Sequence, residues 1–311
     1  MRVQTPQNNV LTAKLVKEQW RIPKPPWLKI RPPSTEKFAD ITKVLKQKKL
    51  NTVCAEARCP NIAECWSGGT ATFMLMGDTC TRACRFCMVK SGNPKGLLDA
   101  NEPQHLVEAV GIMKLEYVVL TCVTRDDLPD GGASHFAACV KALKQAYPKL
   151  LVEVLISDLN ANLQALETII ESGPEVVAHN LETVERLQSS IRDPRANYEK
   201  SFKILEYAKK YKGALFTKTS LMLGVGETEA EIVQTMVDAR LRNVDIITFG
   251  QYLQPSPFHV QVQEFVTPEQ FKHYEVLAKG QGFLYCASGP LVRSSYKAGE
   301  YFVKNALAAR Q

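Results

Sequence analysis

No stretch of about 18 uninterrupted apolar residues occurs in the 311-residue chain, so no membrane-spanning helix is expected. The first twenty residues, MRVQTPQNNVLTAKLVKEQW, lack the charged, apolar and small-residue succession of a secretory signal. With no Ser and a single Arg they do not read as an organelle transit peptide either. These absences point to a cytoplasmic protein. No short internal repeat is present, and 45% apolar with 23% charged residues is ordinary globular composition, which excludes disordered, collagen-like and coiled-coil chains. A chain of this size buries about three quarters of its unfolded surface and needs no disulfide or zinc staple. Its nine cysteines therefore require another explanation, and in a reducing compartment clustered cysteines read as metal ligands or catalytic thiols.

Charge is uneven. The net charge is +7, yet residues 1–50 carry twelve Lys or Arg against Glu18, Glu36 and Asp40, so this segment is +9 and the remainder −2. A basic arm on a near-neutral body suits an acidic partner, with nucleic acid the usual first candidate and a merely solvated surface the alternative. Six prolines from Pro6 to Pro33 break the start of the arm into extended or turn conformations, and Trp20 and Trp27 favour its lying along the body. Phe38, Ile41, Val44 and Leu45 predict a short helix over Thr35–Gln47.

From Thr70 onward, apolar runs alternate with amphipathic ones. Strands are predicted at 71–77, 117–123, 151–157, 175–180, 216–224 and 245–250, with a shorter one at 283–288. Helices are predicted around 102–114, 134–146, 162–172, 181–190, 198–211, 228–242 and 268–280. Repeated βα units mean parallel strands with right-handed crossovers, and six or seven units are too few to close an eight-stranded barrel. The expected fold is α/β, a partial, open parallel βα barrel of about six βα units with N- and C-terminal extensions. Its boundaries are a basic extension over 1–69 carrying the first cysteines, the barrel over 70–288, and a C-terminal extension over 289–311. The active site should lie at the C-terminal ends of the strands.

Six of the nine cysteines fall between Cys54 and Cys87 in two triplets. Cys54, Cys59 and Cys65 are spaced C-x4-C-x5-C, and Cys80, Cys84 and Cys87 are spaced C-x3-C-x2-C. A structural zinc needs four ligands, commonly as two close pairs, and each triplet is one short with no His inside it. Three thiolates can instead hold an iron–sulfur cubane with one iron open to another ligand. The second triplet directly follows the first predicted strand, at the mouth of the barrel.

C-x3-C-x2-C with Phe86 before its last Cys, after the first barrel strand, resembles the radical S-adenosylmethionine superfamily. ARCPN and ECW around the first triplet, MLMGDTCTRACRFC, RDDLPDGGA and SGPLVRSSYKAG resemble one branch of it, the lipoyl synthase family, over about Pro25 to Gly299. The resemblance implies that Cys80, Cys84 and Cys87 hold a four-iron cluster whose open iron binds the amino and carboxylate groups of S-adenosylmethionine. Reductive cleavage would give a 5′-deoxyadenosyl radical that takes hydrogen from an octanoyl chain, carried on a lysine of a lipoyl carrier domain. C6 and C8 would each gain one sulfur from a second four-iron cluster held by Cys54, Cys59 and Cys65. Its fourth ligand is carried over to Ser295, with Ser294 as the alternative. The implied cofactors are two 4Fe-4S clusters and S-adenosylmethionine. The implied partners are the acidic octanoylated carrier domain, a reductant such as ferredoxin or flavodoxin, and an iron–sulfur carrier protein; neither membrane nor nucleic acid is expected. Sulfur or methylthio insertion into another substrate such as tRNA is the alternative within the same chemistry, and a non-catalytic two-cluster electron carrier the alternative outside it.

Asn180 and Glu182, in HNLE, match positions that bind the cofactor's ribose in related radical enzymes, with helix capping by Asn180 as the competing role. Lys218, within an apolar strand, points either toward a carboxylate of the cofactor or into an interior ion pair. Arg125, with Asp126 and Asp127, contacts the cofactor or orients other loops. Cys122, Cys139 and Cys286 lack ligand spacing and are expected to pack. His105, His135, His259 and His273 suggest no site.

Overall fold

The apolar runs that read as strands become one sheet. In the computed structural model, which describes residues 23–29, 43, 48, 50–52, 61–62, 65, 70–295 and 298–308, the strands are β1 (Asn51–Thr52), β2 (Thr70–Leu75), β3 (Thr79–Cys80), β4 (Lys90–Ser91), β5 (Tyr117–Cys122), β6 (Leu151–Leu155), β7 (Val176–Ala178), β8 (Phe216–Leu223), β9 (Ile246–Gln251) and β10 (Tyr285–Gly289). The main sheet runs β1-β2-β5-β6-β7-β8-β9-β10, and β3 pairs only with β4. All seven strands from β2 to β10 in that sheet are parallel, while β1 adds antiparallel to β2. The sheet ends on β1 and β10, so the barrel is open among the described residues, as expected.

Helices fill the crossovers: α1 (Glu102–Met113), α2 (Ala133–Ala146), α3 (Leu163–Glu171), α4 (Gln188–Ile191), α5 (Tyr198–Tyr211), α6 (Glu229–Leu241) and α7 (Pro268–Gly280). Their starts are encoded locally. Asn162, Asn197 and Thr267 each accept a backbone N–H of the first turn, and Thr228 with Glu231 forms a reciprocal capping box. Their apolar faces and the outward side chains of the strands make two core clusters, one around Leu120, Val140 and Ile169, the other around Leu205, Met236 and Phe271.

A last helix, α8 (Ala298–Ala308), was not legible in the sequence. Its Phe302, Val303 and Ala306 pack against Tyr117, Val176, Phe216, Ile246 and Tyr285, the first residues of their strands. Phe302 stacks on Tyr285 at 5.3 Å and meets Phe216 edge-on at 5.8 Å. This helix therefore covers the N-terminal end of the barrel and leaves the C-terminal end for chemistry.

Lys218 lies toward the covered end, and its assignment to the cofactor is corrected accordingly. Its ammonium donates to Glu153 Oε1 at 2.7 Å, Glu153 Oε2 accepts from the Tyr117 hydroxyl at 2.6 Å, and both charged side chains are buried. An ammonium so placed is held by its carboxylate, because breaking a buried pair leaves an uncompensated charge.

The predicted helix over Thr35–Gln47 and most of the basic arm lie outside the described residues. Within the arm, Pro26–Leu28 forms one turn of 3-10 helix and buries Leu28, in line with an arm lying along the body. Lys48 is in an ion pair with Glu108 of α1. Because β1 joins the sheet, the N-terminal extension is continuous with the barrel rather than appended to it.

Candidate active site

The chain leaves β2 through two left-handed residues, Met76 (φ +66°) and Gly77 (φ +91°), and enters the loop of the second triplet. The strained turn at Met76 is braced on all sides. Both carboxylate oxygens of Glu102 accept the Met76 N–H, at 3.1 and 3.0 Å, and Glu102 is held in turn by His135 at 2.7 Å. A Cβ on Gly132 (φ +85°) would stand 2.2 Å from the Met76 sulfur, so this turn and the helix start beyond it require glycine there. Cys139 completes a buried Glu–His–Cys group with these two, but the carboxylate is committed to hydrogen bonds and burial pushes that thiol far up, which suits packing rather than metal binding.

Backbone N–H groups face the thiols of the triplet. Arg82 N lies 3.4 Å from Cys80 Sγ and Asp193 N lies 3.3 Å from Cys84 Sγ, while a third N–H, from Val89, serves Cys87. Burial pushes the Cys87 thiol up to about 12, against the Val89 hydrogen bond, and the other two sulfurs add to the rise. Burial also raises Cys84, with Asp193 N–H and Arg192 pulling the other way. Without a metal such thiols stay protonated; N–H donors aimed at sulfur are what a thiolate-bound iron–sulfur cluster uses. The three residues thus fit a cluster, and three ligands leave one iron for another molecule.

The loop between the ligands is fixed by charge. Arg82 donates to Asp126 from Nε and Nη2, at 3.0 and 2.9 Å, and to Asp158 from Nη1 and Nη2, both at 2.7 Å. Asp193 accepts Ala83 N at 2.9 Å and is paired with Arg195, which also donates to the Thr81 carbonyl at 2.7 Å. The His259 ring donates from Nε2 to the Cys87 carbonyl at 3.0 Å. Arg125 belongs to the same scaffold. It is wholly buried and donates to Asp127 at 2.8 and 2.9 Å, to the Leu97 carbonyl at 2.9 Å and to the Met76 carbonyl at 3.3 Å. The expected cofactor contact for Arg125 is therefore corrected to loop orientation, since a side chain with no accessible atom cannot reach a ligand. Its hydrogen bonds, with the Gly96 N–H and its charge adding to them, hold the Asp127 carboxyl down at about 2 against burial.

Across from the triplet, Glu182 has φ +68° and makes an isolated parallel bridge to Leu221 of β8. The bridge turns the HNLE segment into the mouth. Burial raises the Glu182 carboxyl, with Arg192 and Asn180 opposing. Asn180 Oδ1 is buried with no hydrogen-bond partner among the described residues, and it does not cap a helix. An orphaned amide oxygen beside a carboxylate matches a ligand with hydroxyl groups.

Of the first triplet, Cys54 and Cys59 lie outside the described residues. Cys65 is buried, and its N–H donates to the Asn61 carbonyl at 2.9 Å. The Asn61 side chain donates to the Leu291 carbonyl at 2.6 Å across 230 positions of sequence. The Leu291 segment runs over β9 so closely that a Cβ on Gly250 would lie 2.1 Å from the Val292 carbonyl oxygen. Ser294 and Ser295 follow in a half-buried turn. The Asn61–Cys65 turn and the segment leading into Ser294 and Ser295 are thereby tied together. Cys286 is buried in β10 with its thiol pushed up to about 12 by burial, as a packing residue should be.

Residues 74–239 match the model of the radical SAM superfamily, and residues 4–59 match the N-terminal domain of lipoyl synthase. The lipoyl synthase of Myxococcus xanthus is 57% identical over 281 residues, covering 90% of this chain and 94% of that one. That of Ectopseudomonas mendocina is 53% identical, covering 92% and 81%. The chain belongs to the lipoyl synthase family. A lipoyl synthase of Danio rerio, described as mitochondrial, is 52% identical over 94% of this chain and 74% of its own. Among solved structures, the FeFe-hydrogenase maturase of Carboxydothermus hydrogenoformans superposes with a TM-score of 0.54 at 12% identity, covering 96% of this chain and 82% of that one. Methylornithine synthase gives 0.51 at 14% identity, covering 88% and 93%. At those identities they share the fold alone.

For a lipoyl synthase family member, the residues that sequence reading missed are the braces. Arg82, Asn61, Glu102 with His135, and His259 acquire their meaning from partners 26 to 230 positions away. A buried charge inside a ligand loop, as Arg82 is inside CTRACRFC, was the one local signal available for them.

Proposed function

We propose that this chain inserts sulfur at C6 and C8 of an octanoyl group carried on a lysine of a lipoyl carrier domain, as a sulfurtransferase of the radical S-adenosylmethionine superfamily. The observation that supports this reading is the Asn61–Leu291 hydrogen bond, which joins the residue four before Cys65 to the residue three before Ser294, beside the barrel that carries the other three thiols. Cys80, Cys84 and Cys87 would hold one cluster, and with S-adenosylmethionine it would supply the radical chemistry that no side-chain acid or base performs. Asn180 and Glu182 receive the ribose hydroxyls. The Arg82, Arg125 and Asp193 network keeps the ligand loop in one position, and α8 closes the far end of the barrel.

Cys54, Cys59 and Cys65 would hold the second cluster, with Ser295 as fourth ligand; an alkoxide is a poorer match for iron than a thiolate, so that corner would be the weakest. The octanoylated carrier domain is the substrate-bearing partner, with a ferredoxin or flavodoxin as reductant and an iron–sulfur carrier protein as cluster source. No helix among the described residues is long and apolar enough to cross a membrane, and the cytoplasm is the compartment we assign.

The test is anaerobic incubation of reconstituted protein with S-adenosylmethionine, dithionite and an octanoyl-lysine peptide, followed by mass spectrometry. The expected product carries two sulfurs, and the protein about eight irons per chain, four for each cluster. A full complement of tightly held zinc with little iron would overturn the reading. Within it, Ser295→Ala should keep 5′-deoxyadenosine formation and form little lipoyl product, while Cys286→Ala should match the parent in both. Loss of the second cluster from Cys286→Ala but not from Ser295→Ala would remove the serine from the site.

A further inference from the structure

The loop of the second triplet has two sides. On the inner side Cys84 faces Arg192 and Glu182, and Phe86 packs with Ile191, Tyr252 and Val262. On the outer side Arg85, Met88, Lys90 and Lys95 are exposed. Beside them stands Phe258, 92% exposed. Residues 83–96 and 253–263 together contain three cationic side chains and no Asp or Glu. None of those three cations enters an ion pair among the described residues, and Arg85 makes its one side-chain hydrogen bond to the Ser190 carbonyl at 3.0 Å.

Phe258 is not carried on a loose loop. His259 N donates to the Ser256 carbonyl at 3.1 Å, Phe258 N to Ser256 Oγ at 3.4 Å, and Gln254 Nε2 to the His259 carbonyl at 3.0 Å. The His259 ring accepts from Ser256 Oγ at 2.7 Å and donates to the Cys87 carbonyl, so the turn is bolted to a cluster ligand. A second strut joins Val260 N to the Arg85 carbonyl at 3.0 Å. A phenyl group held in water on a rigid turn costs hydrophobic free energy in the isolated protein. It loses little further freedom when a partner covers it, the property of an interface anchor.

We propose that Phe258, Met88, Arg85, Lys90 and Lys95 form the docking surface for an acidic one-electron carrier protein. This rests on the function proposed above and adds where the electron enters. The three cations, unpaired among the described residues, select and steer an anionic partner, with Asp78 and Asp127 the nearest carboxylates, and Phe258 with Met88 supplies the apolar centre. Position decides between the two acidic partners. The substrate-bearing carrier domain must deliver its chain to the inner side, where Asn180 and Glu182 face the thiols. An electron donor needs only the shortest path to a ligand sulfur, and Met88 is one peptide bond from Cys87. One electron leaves the carrier protein and enters the cluster, with no atom exchanged.

The probe is a flavodoxin, oxidised for binding and as hydroquinone for reduction, against reconstituted parent protein and the double variant Lys90→Glu, Phe258→Ser. The variant should bind flavodoxin about tenfold more weakly at low salt. Its reduction by the hydroquinone should slow by a similar factor, and the steep salt dependence of the parent should flatten. With dithionite as reductant, both proteins should form 5′-deoxyadenosine at the same rate. Unchanged flavodoxin affinity overturns the proposal, as does an equal loss with dithionite. Retained flavodoxin binding with a raised KM for octanoylated carrier domain also overturns it, giving this face to the substrate partner. A parent that binds flavodoxin here yet forms no 5′-deoxyadenosine with dithionite would refute the proposed function and leave the docking face standing.

Discussion

Replacing Cys80, Cys84 and Cys87 together by Ala is expected to take 5′-deoxyadenosine formation below detection, while the same replacement at Cys54, Cys59 and Cys65 leaves it intact and removes the sulfur-containing product. In the proposed function the two triplets have separate roles, one in making the radical and the other in supplying sulfur. Cys80 sits on β3 and Cys84 and Cys87 follow in its loop, facing Glu182, while Cys65, the described member of the other triplet, is buried with Leu50 and Ile62. Chromatographic assay of 5′-deoxyadenosine and mass spectrometry of the octanoyl peptide, run on the same reaction, separate the outcomes. Equal loss of cleavage in both variants would contradict the division of labour.

Arg82→Met is expected to be the most damaging single change outside the cysteines. Asp158 is 1% exposed and loses the guanidinium that donates to both its oxygens, and an uncompensated buried charge costs about 3–5 kcal/mol. Asp126→Asn should cost less, because Asp126 is partly in water and Arg82 keeps Asp158. The pH dependence gives an independent check. Burial alone would raise Asp158, but the Arg82 hydrogen bonds and the nearby His179 and Arg82 charges outweigh it and hold the carboxyl below its usual range; Asp126 behaves alike. A depressed carboxylate contributes stability that is fully present above the ordinary value near 4 and is lost as pH falls through the lowered folded value. In Arg82→Met, Asp158 accepts a proton at higher pH than in the parent. The Tm gap between parent and variant should therefore be widest near neutrality and narrow toward acid, and thermal melts of both proteins across that range measure it. A gap independent of pH would mean that Arg82 acts by packing alone.

The barrel was legible because each strand and helix states its own period. YVVLTC and FTKTSLML are apolar runs of strand length, and Thr228 and Thr267 announce helix starts from side-chain chemistry two or three residues deep. Metal-ligand spacing is equally local, so Cys80, Cys84 and Cys87 read as one candidate site from the sequence. Lys218 and Arg125 were not. A cation in an apolar strand, or at a strand end, has the same sequence signature whether it meets a cofactor or a buried carboxylate, and only the fold brings Glu153 to the one and Asp127 with two carbonyls to the other.

Composition, period and spacing thus determined the βα order, the partial barrel and the cysteine triplet at its mouth, while the family followed from the resemblance of whole strings such as RDDLPDGGA and SGPLVRSSYKAG. Tertiary structure alone decided what holds that site. It set Glu102 under the left-handed Met76, put Arg82 between two aspartates, bolted His259 to Cys87, laid α8 across the closed end and joined Asn61 to Leu291. The physical reason is range. Hydrophobic period and capping act within a turn of chain, whereas a buried charge or an orphaned N–H must find whichever partner the fold places within 3 Å, and that partner carries no mark in the sequence around it.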